Sequence, residues 1–150
     1  MAAPQLIVPD TANLDARAMG RHLANEILNH PRLKETLDNY NPFPTDVIVV
    51  KWIREKIGTG KLMAAPQTQN EDRWQCKCGL ILKLGSHAFQ DEGELQFHGW
   101  RANVGDWVQF RASEGDEFGI VPVGSLQQFE SKRLWHGHIS AVLTHPDQIY

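Results

Sequence analysis

Asn41-Pro42-Phe43-Pro44 sets the strongest limit on how this chain folds. A proline fixes its own φ, lacks an amide proton and drives the residue before it out of the helical region, so no helix runs through this segment. The spacing of apolar residues changes across it. On the N-terminal side, Leu14, Ala18, Met19, Leu23, Ile27 and Leu28 recur at intervals of four and one, the stripe of an amphipathic helix. Asp10 or Thr11 can cap that helix, Pro31 ends it or opens the next, and Leu33, Leu37 and Tyr40 predict a second short helix. Residues 1–10, punctuated by proline, read as an extended segment carrying the apolar triplet Leu6, Ile7 and Val8. Residues 1–43 are therefore expected to form an N-terminal arm with one or two helices.

After Pro44 the helical period is lost. Val47-Ile48-Val49-Val50 is a β-branched run, Gly79–Leu84 is a second strand closed by Gly85, and Trp107–Arg111 alternates as a third after a tight turn at Val104-Gly105-Asp106. Phe118–Val123 predicts a short strand, and Leu134–Leu143 a last one with Ile139, Ala141 and Leu143 on one face. Residues 53–76, rich in Gly, Ala, Gln and Asn, read as a long loop, a feature usually reserved for function or mobility. Short strands with glycine turns and no intervening helix predict a mainly β domain over residues 44–150, a small antiparallel or mixed barrel.

Composition narrows the function. The 15 Lys+Arg against 18 Asp+Glu, with no basic block, argue against electrostatic binding to nucleic acid or an anionic membrane. No stretch approaches the roughly 20 apolar residues that span a bilayer, and Met1-Ala2-Ala3-Pro4 has no basic signal-peptide start. Two cysteines one residue apart make an awkward disulfide pair, which fits a reducing compartment such as the cytoplasm.

The chemistry-bearing patterns are sparse. Gly58-Thr59-Gly60-Lys61 resembles part of a phosphate-binding loop, but Glu55 stands where the first glycine belongs and Leu62 where Ser or Thr belongs. Cys76 and Cys78, with His136 and His138, make a conceivable four-ligand zinc set. The competing reading is two small strand residues and two histidines on an exposed strand face. His87, His98 and His145 stand singly in loop-like surroundings and read as solvated. No pattern organises a nucleophile, base and orienting group, so no enzymatic activity, metal or cofactor is expected. All five tryptophans, Trp52, Trp74, Trp100, Trp107 and Trp135, fall after Pro44. Core packing accounts for most of them, and Trp74, among charged residues, is the expected interface anchor.

Three ordered features resemble the small co-chaperonin (GroES-like) family: Asp46-Val47-Ile48-Val49-Val50-Lys51; a long loop ending Gly60-Lys61-Leu62-Met63 followed by Gly79–Gly85; and Val104-Gly105-Asp106-Trp107-Val108-Gln109-Phe110. The Gly-Asp-Trp version, with Ile139–Leu143 and His145-Pro146-Asp147, looks most like the variants encoded by tailed bacteriophages. The resemblance covers about residues 44–145 and implies a GroES-like irregular β-barrel that assembles into homo-oligomeric rings. It also implies a loop whose apolar triplet docks on a large chaperonin. Here that triplet becomes Lys61-Leu62-Met63, placing an ammonium where burial is required, and the arm is additional. Both departures favour a barrel reused as a structural subunit. The expected function is a non-enzymatic virion protein, a capsid decoration or cement subunit. It would grip capsid or sister subunits through Leu6, Ile7, Val8, Leu14, Leu23, Ile27, Leu62, Met63 and Trp74. The alternative is a cytoplasmic co-chaperonin acting through residues 60–63.

Overall fold

The computed structural model describes residues 16–52, 76–122, 124 and 128–148, together with the backbone of 56–57 and 62–63. The chain is mainly β. A six-stranded antiparallel sheet carries two short helices on one face and irregular chain on the other. The helices are α1 (Ala16–Leu28) and α2 (Leu33–Asp38). The strands are β1 (Asp46–Lys51), β2 (Lys56–Ile57), β3 (Leu62–Met63), β4 (Cys78–Leu84), β5 (Trp107–Gln109), β6 (Asp116–Ile120), β7 (Phe129–Trp135) and β8 (Ala141–Leu143). The sheet order is β6-β7-β1-β4-β5-β8, and β2 and β3 pair separately as a two-stranded ribbon.

The β-branched run of β1 is buried because both faces of the sheet are covered, a setting in which a strand reads as continuously apolar rather than alternating. Val47 and Val49 point into one core with Ile81, Val108, Phe110 and Leu134. Ile48 and Val50 point into the other, with Leu80, Leu82, Trp107 and the helical Ala24, Leu33 and Leu37. A bulge between Ile48 and Val49 shifts the register against β4.

The helices sit on the second core. Gly20 and Ala24 are the residues of α1 that approach the sheet most closely, and a Cβ on Gly20 would lie 1.9 Å from the Thr144 carbonyl oxygen. The indole N–H of Trp107 donates to the Gly20 carbonyl at 2.8 Å, tying α1 to β5. Lys83 on β4 donates to the Leu37 carbonyl at the end of α2, satisfying one of the acceptors a helix C-terminus leaves over. The first core is closed by the chain between β4 and β5, which inserts Ala88, Phe89 and Ala102. The turn at Val104-Gly105-Asp106 forms as expected. Gly105 takes a φ of 93°, its N–H donates to the Ile81 carbonyl at 2.9 Å, and the Asp106 carbonyl accepts from the Ile81 N–H at 3.0 Å.

Four expectations are corrected. The segment 53–76 holds the β2–β3 ribbon, where a loop alone was expected. The last strand is two strands, β7 and β8, separated by a 3-10 turn at His136–His138. The turn forms because the Nδ1 of His138 captures the backbone N–H of Trp135 at 3.2 Å, where a strand would offer it to a neighbour. As a result Ile139 packs in the first core and Leu143 against the second, not on one face. The third strand stops at Gln109 and the fourth runs Asp116–Ile120, two residues earlier than its apolar residues indicate. Among the described strands β6 and β8 are the outer edges, with no pairing between them.

Candidate protein-interaction surface

A cluster of aromatic rings and histidines at the margin of the first core is built on the 3-10 turn. Trp135 ends β7, His136 is completely buried, and His138 follows after Gly137, whose missing Cβ admits the Trp135 ring. His136 lies 4.9 Å from the ring of Phe97 and 5.3 Å from that of Trp135. Phe89 meets Phe97 edge-on at 5.6 Å and Trp100 edge-on at 5.5 Å, the geometry the ring quadrupoles prefer. The network therefore joins two tryptophans from distant parts of the chain. Trp100 and Trp135 are each 40% exposed although their neighbours Phe89 and His136 are buried.

Hydrogen bonds fix the histidines. The Nδ1 of His136 accepts the Phe89 N–H at 3.0 Å, so a neutral ring must carry its proton on Nε2, which faces the Glu92 carboxylate at 3.3 Å. His138 repeats the arrangement: Nδ1 accepts from Trp135, and Nε2 lies 3.0 Å from Glu114. Both imidazoles are thus saturated, with no lone pair left to abstract a proton from a substrate. A cleft of about 270 Å³ opens beside His136, lined by Thr45, His87, Asp91 and Glu92. Asp91 accepts the Phe97 N–H at 2.7 Å, and a bridge between Glu92 and Leu95 closes an acidic turn on this face. Tryptophan is among the residue types enriched at protein contacts, and here two stand half-exposed on buried aromatic neighbours.

A second polar cluster lies inside the first core. Lys132, 2% exposed, donates to the Ala112 carbonyl at 2.7 Å and sits 5.3 Å above the Phe110 ring. Burial pushes its pKa down, against the opposing pull of Glu117. Lys51 pairs with Glu117 at 3.0 Å. Each described group here has a partner, which marks a satisfied interior.

The four conceivable zinc ligands are dispersed. The Cys76 thiol donates to the Cys78 carbonyl at 2.8 Å and packs in the first core, whereas the Cys78 side chain packs in the second. Cys76 precedes β4, so the two do not share a strand face. Neither is in a disulfide, and burial raises both thiol pKa values. His136 and His138 lie in the 3-10 turn, the first buried and the second half-buried, where exposed strand positions were expected. No group of three or more metal-ligating side chains converges among the described residues.

The expected contact residues are distributed as follows. Leu23 and Ile27 are half-buried against the chain's own second core. Leu62 and Met63 form β3, whose backbone pairs with β2. Leu6, Ile7, Val8, Leu14 and Trp74 lie outside the described residues. The Trp100–Trp135 surface was not anticipated. Its only sequence signal is Trp135-His136-Gly137-His138, where a glycine flanked by hydrogen-bonding rings interrupts an apolar run. Among the described residues no helix is long and apolar enough to cross a membrane. No family model matches the sequence, and no curated protein matches it at a significant level.

Proposed function

We propose that this chain is a non-enzymatic structural subunit of a tailed-bacteriophage virion, a capsid decoration or stabilising protein built on an irregular barrel of the small co-chaperonin type. The observation that carries the protein-binding part is the Trp100–Trp135 surface, two anchors held rigid by buried rings and left 40% exposed. Each retains on the order of 100 Å² to bury, worth up to about 2.5 kcal/mol before association costs are met. The barrel part is supported by the placement of the resembling motifs, which occupy β1, β4 and the turn into β5, hydrogen-bonded neighbours in one sheet. The capsid, or a sister subunit, is the partner, and Leu6, Ile7, Val8, Leu14 and Trp74 are assigned to it as further contacts. Because only the assembled shell presents the complementary surface, binding stabilises the assembled state.

Mass spectrometry of purified virions tests the proposal. The chain is expected in the particle, and the double change Trp100→Ala and Trp135→Ala is expected to strip it at salt concentrations that the natural protein survives. Its absence from particles overturns the proposal. The β2–β3 ribbon favours a second reading, because it places Leu62-Met63 in a small sheet separate from the main one. In that reading the chain is a co-chaperonin that caps a large chaperonin through residues 60–63. It then slows the chaperonin ATPase, and Leu62→Ser abolishes the effect. No slowing retires that reading.

A further inference from the structure

On the other face of the sheet, the helical side, α1 and the β5–β8 edge enclose a groove of about 370 Å³. Its chemistry differs from that of the tryptophan surface. The floor is apolar, formed by Ala24, Leu28, Trp107 and Leu143, and the exposed Val104 and Val142 stand at its rim. The wall carries Arg17 and Arg21. Four residues apart, these project from one side of α1, where like charges repel and slightly destabilise an isolated helix. Neither arginine has an acidic partner among the described residues. The one carboxylate in the lining, Asp106, is occupied: its Oδ2 accepts the Asn103 N–H at 2.8 Å. The groove therefore holds more positive than negative charge, in a chain whose net charge is −3. β8 borders it with a partner strand on one side only.

We infer that this groove binds an extended acidic segment of a partner protein, with carboxylates on Arg17 and Arg21 and aliphatic side chains on the apolar floor. Charge complementarity selects the occupant. A guanidinium accepts a carboxylate through two parallel N–H bonds, and two of them at helical spacing fit carboxylates that alternate with apolar residues along an extended chain. Such a chain can also pair its backbone with the outer side of β8. Neutralising the arginine pair removes the repulsion within α1, so the free groove is poised for an anionic ligand.

The probe is a fluorescein-labelled peptide of alternating Glu and Leu, titrated by anisotropy against the full-length protein at low and physiological salt. A Lys/Leu peptide, a single-stranded DNA oligonucleotide and a peptide of the chain's own residues 1–12 serve as rivals. The Glu/Leu peptide is expected to bind most tightly, and its affinity to fall with added salt. The double change Arg17→Glu and Arg21→Glu is expected to weaken it at least tenfold, while Arg17→Lys with Arg21→Lys retains most of the binding. Both side chains are exposed, so circular dichroism is expected to be unchanged in each variant. Equal binding of the Glu/Leu and Lys/Leu peptides overturns the inference, as does tighter binding of the oligonucleotide or of residues 1–12. Indifference of binding to charge reversal overturns it as well. None of these outcomes touches Trp100 or Trp135, so the virion proposal stands or falls separately.

Discussion

His136 and Cys78 show how much a single buried atom can be asked to do. The Nδ1 of His136 is the acceptor for the Phe89 N–H, a bond that holds the irregular chain over the first core. His136→Phe keeps the ring volume and deletes the acceptor, leaving a buried amide unpaired. The expected cost is about 1–3 kcal/mol by urea denaturation, larger than that of Glu92→Gln on the exposed side of the same ring. Burial raises the Cys78 thiol pKa, with Cys76 and Asp147 adding to the effect. The folded state therefore keeps this proton where the unfolded chain has lost it. The resulting stability is fully present below the ordinary thiol pKa of about 8.5 and is lost as pH climbs beyond it. Cys78→Ala is expected to lower stability at neutral pH through the cavity it leaves, and to flatten part of the alkaline decline. Melting curves at a series of pH values from neutral to strongly alkaline read both effects. Lys132 is a residue whose place in the fold the sequence does not indicate. A lysine in a strand signals solvent, yet its ammonium reaches the Ala112 carbonyl and the Phe110 ring. No local rule reveals that, because its partners come from another part of the chain.

At the level of elements, α1 is legible in sequence and its destination is not. The stripe through Leu23, Ile27 and Leu28 predicts a helix with one apolar face, but periodicity does not say whose surface covers that face. Gly20 is the clue, because a glycine inside a helix weakens it unless something needs the space. The Thr144 carbonyl fills that space, and the Trp107 indole bonds the Gly20 carbonyl. Gly20→Ala would place a methyl 1.9 Å from a backbone oxygen, so despite the gain in helix propensity it is expected to destabilise by about 1–3 kcal/mol. A shift of Trp107 fluorescence is expected to accompany the loss. A Gly20→Ala variant of undiminished stability would mean that α1 does not dock there. The split between β7 and β8 escaped for a different reason. Apolar alternation continues through Trp135, Ile139 and Ala141, and only the hydrogen bond that the Trp135 backbone N–H donates to His138 Nδ1 reveals the break. The tryptophan surface was illegible for the same reason as Lys132: Trp100 and Trp135 are joined through Phe89, Phe97 and His136, contributed by two separate stretches of chain.

At the level of the whole molecule, the two central strands were read nearly to the residue, and the edges were not. β1 and β4 are buried on both faces, so composition alone marks them. β6 leaves Asp116 exposed and turns Glu117 onto the buried Lys51, and its pairing with β7 is set by distant register, with Glu117 opposite Lys132. Protection should follow the same gradient. Amide hydrogen exchange is expected to be slowest in Val47–Val50 and Leu80–Leu82 and much faster in Asp116–Ile120 and Ala141–Leu143, which have a neighbour on one side only. Uniform protection across the sheet would require the edges to be covered, by closure or by another subunit.

The position of β1 between β4 and β7 has a consequence for biosynthesis. Its second neighbour, Phe129–Trp135, is synthesised only after β4, β5 and β6. Until then the nascent polypeptide presents the most apolar ribbon of the protein with one flank bare, a template for wrong pairing. Emergence of β7, more than any earlier step, is when this sheet becomes safe from wrong pairing.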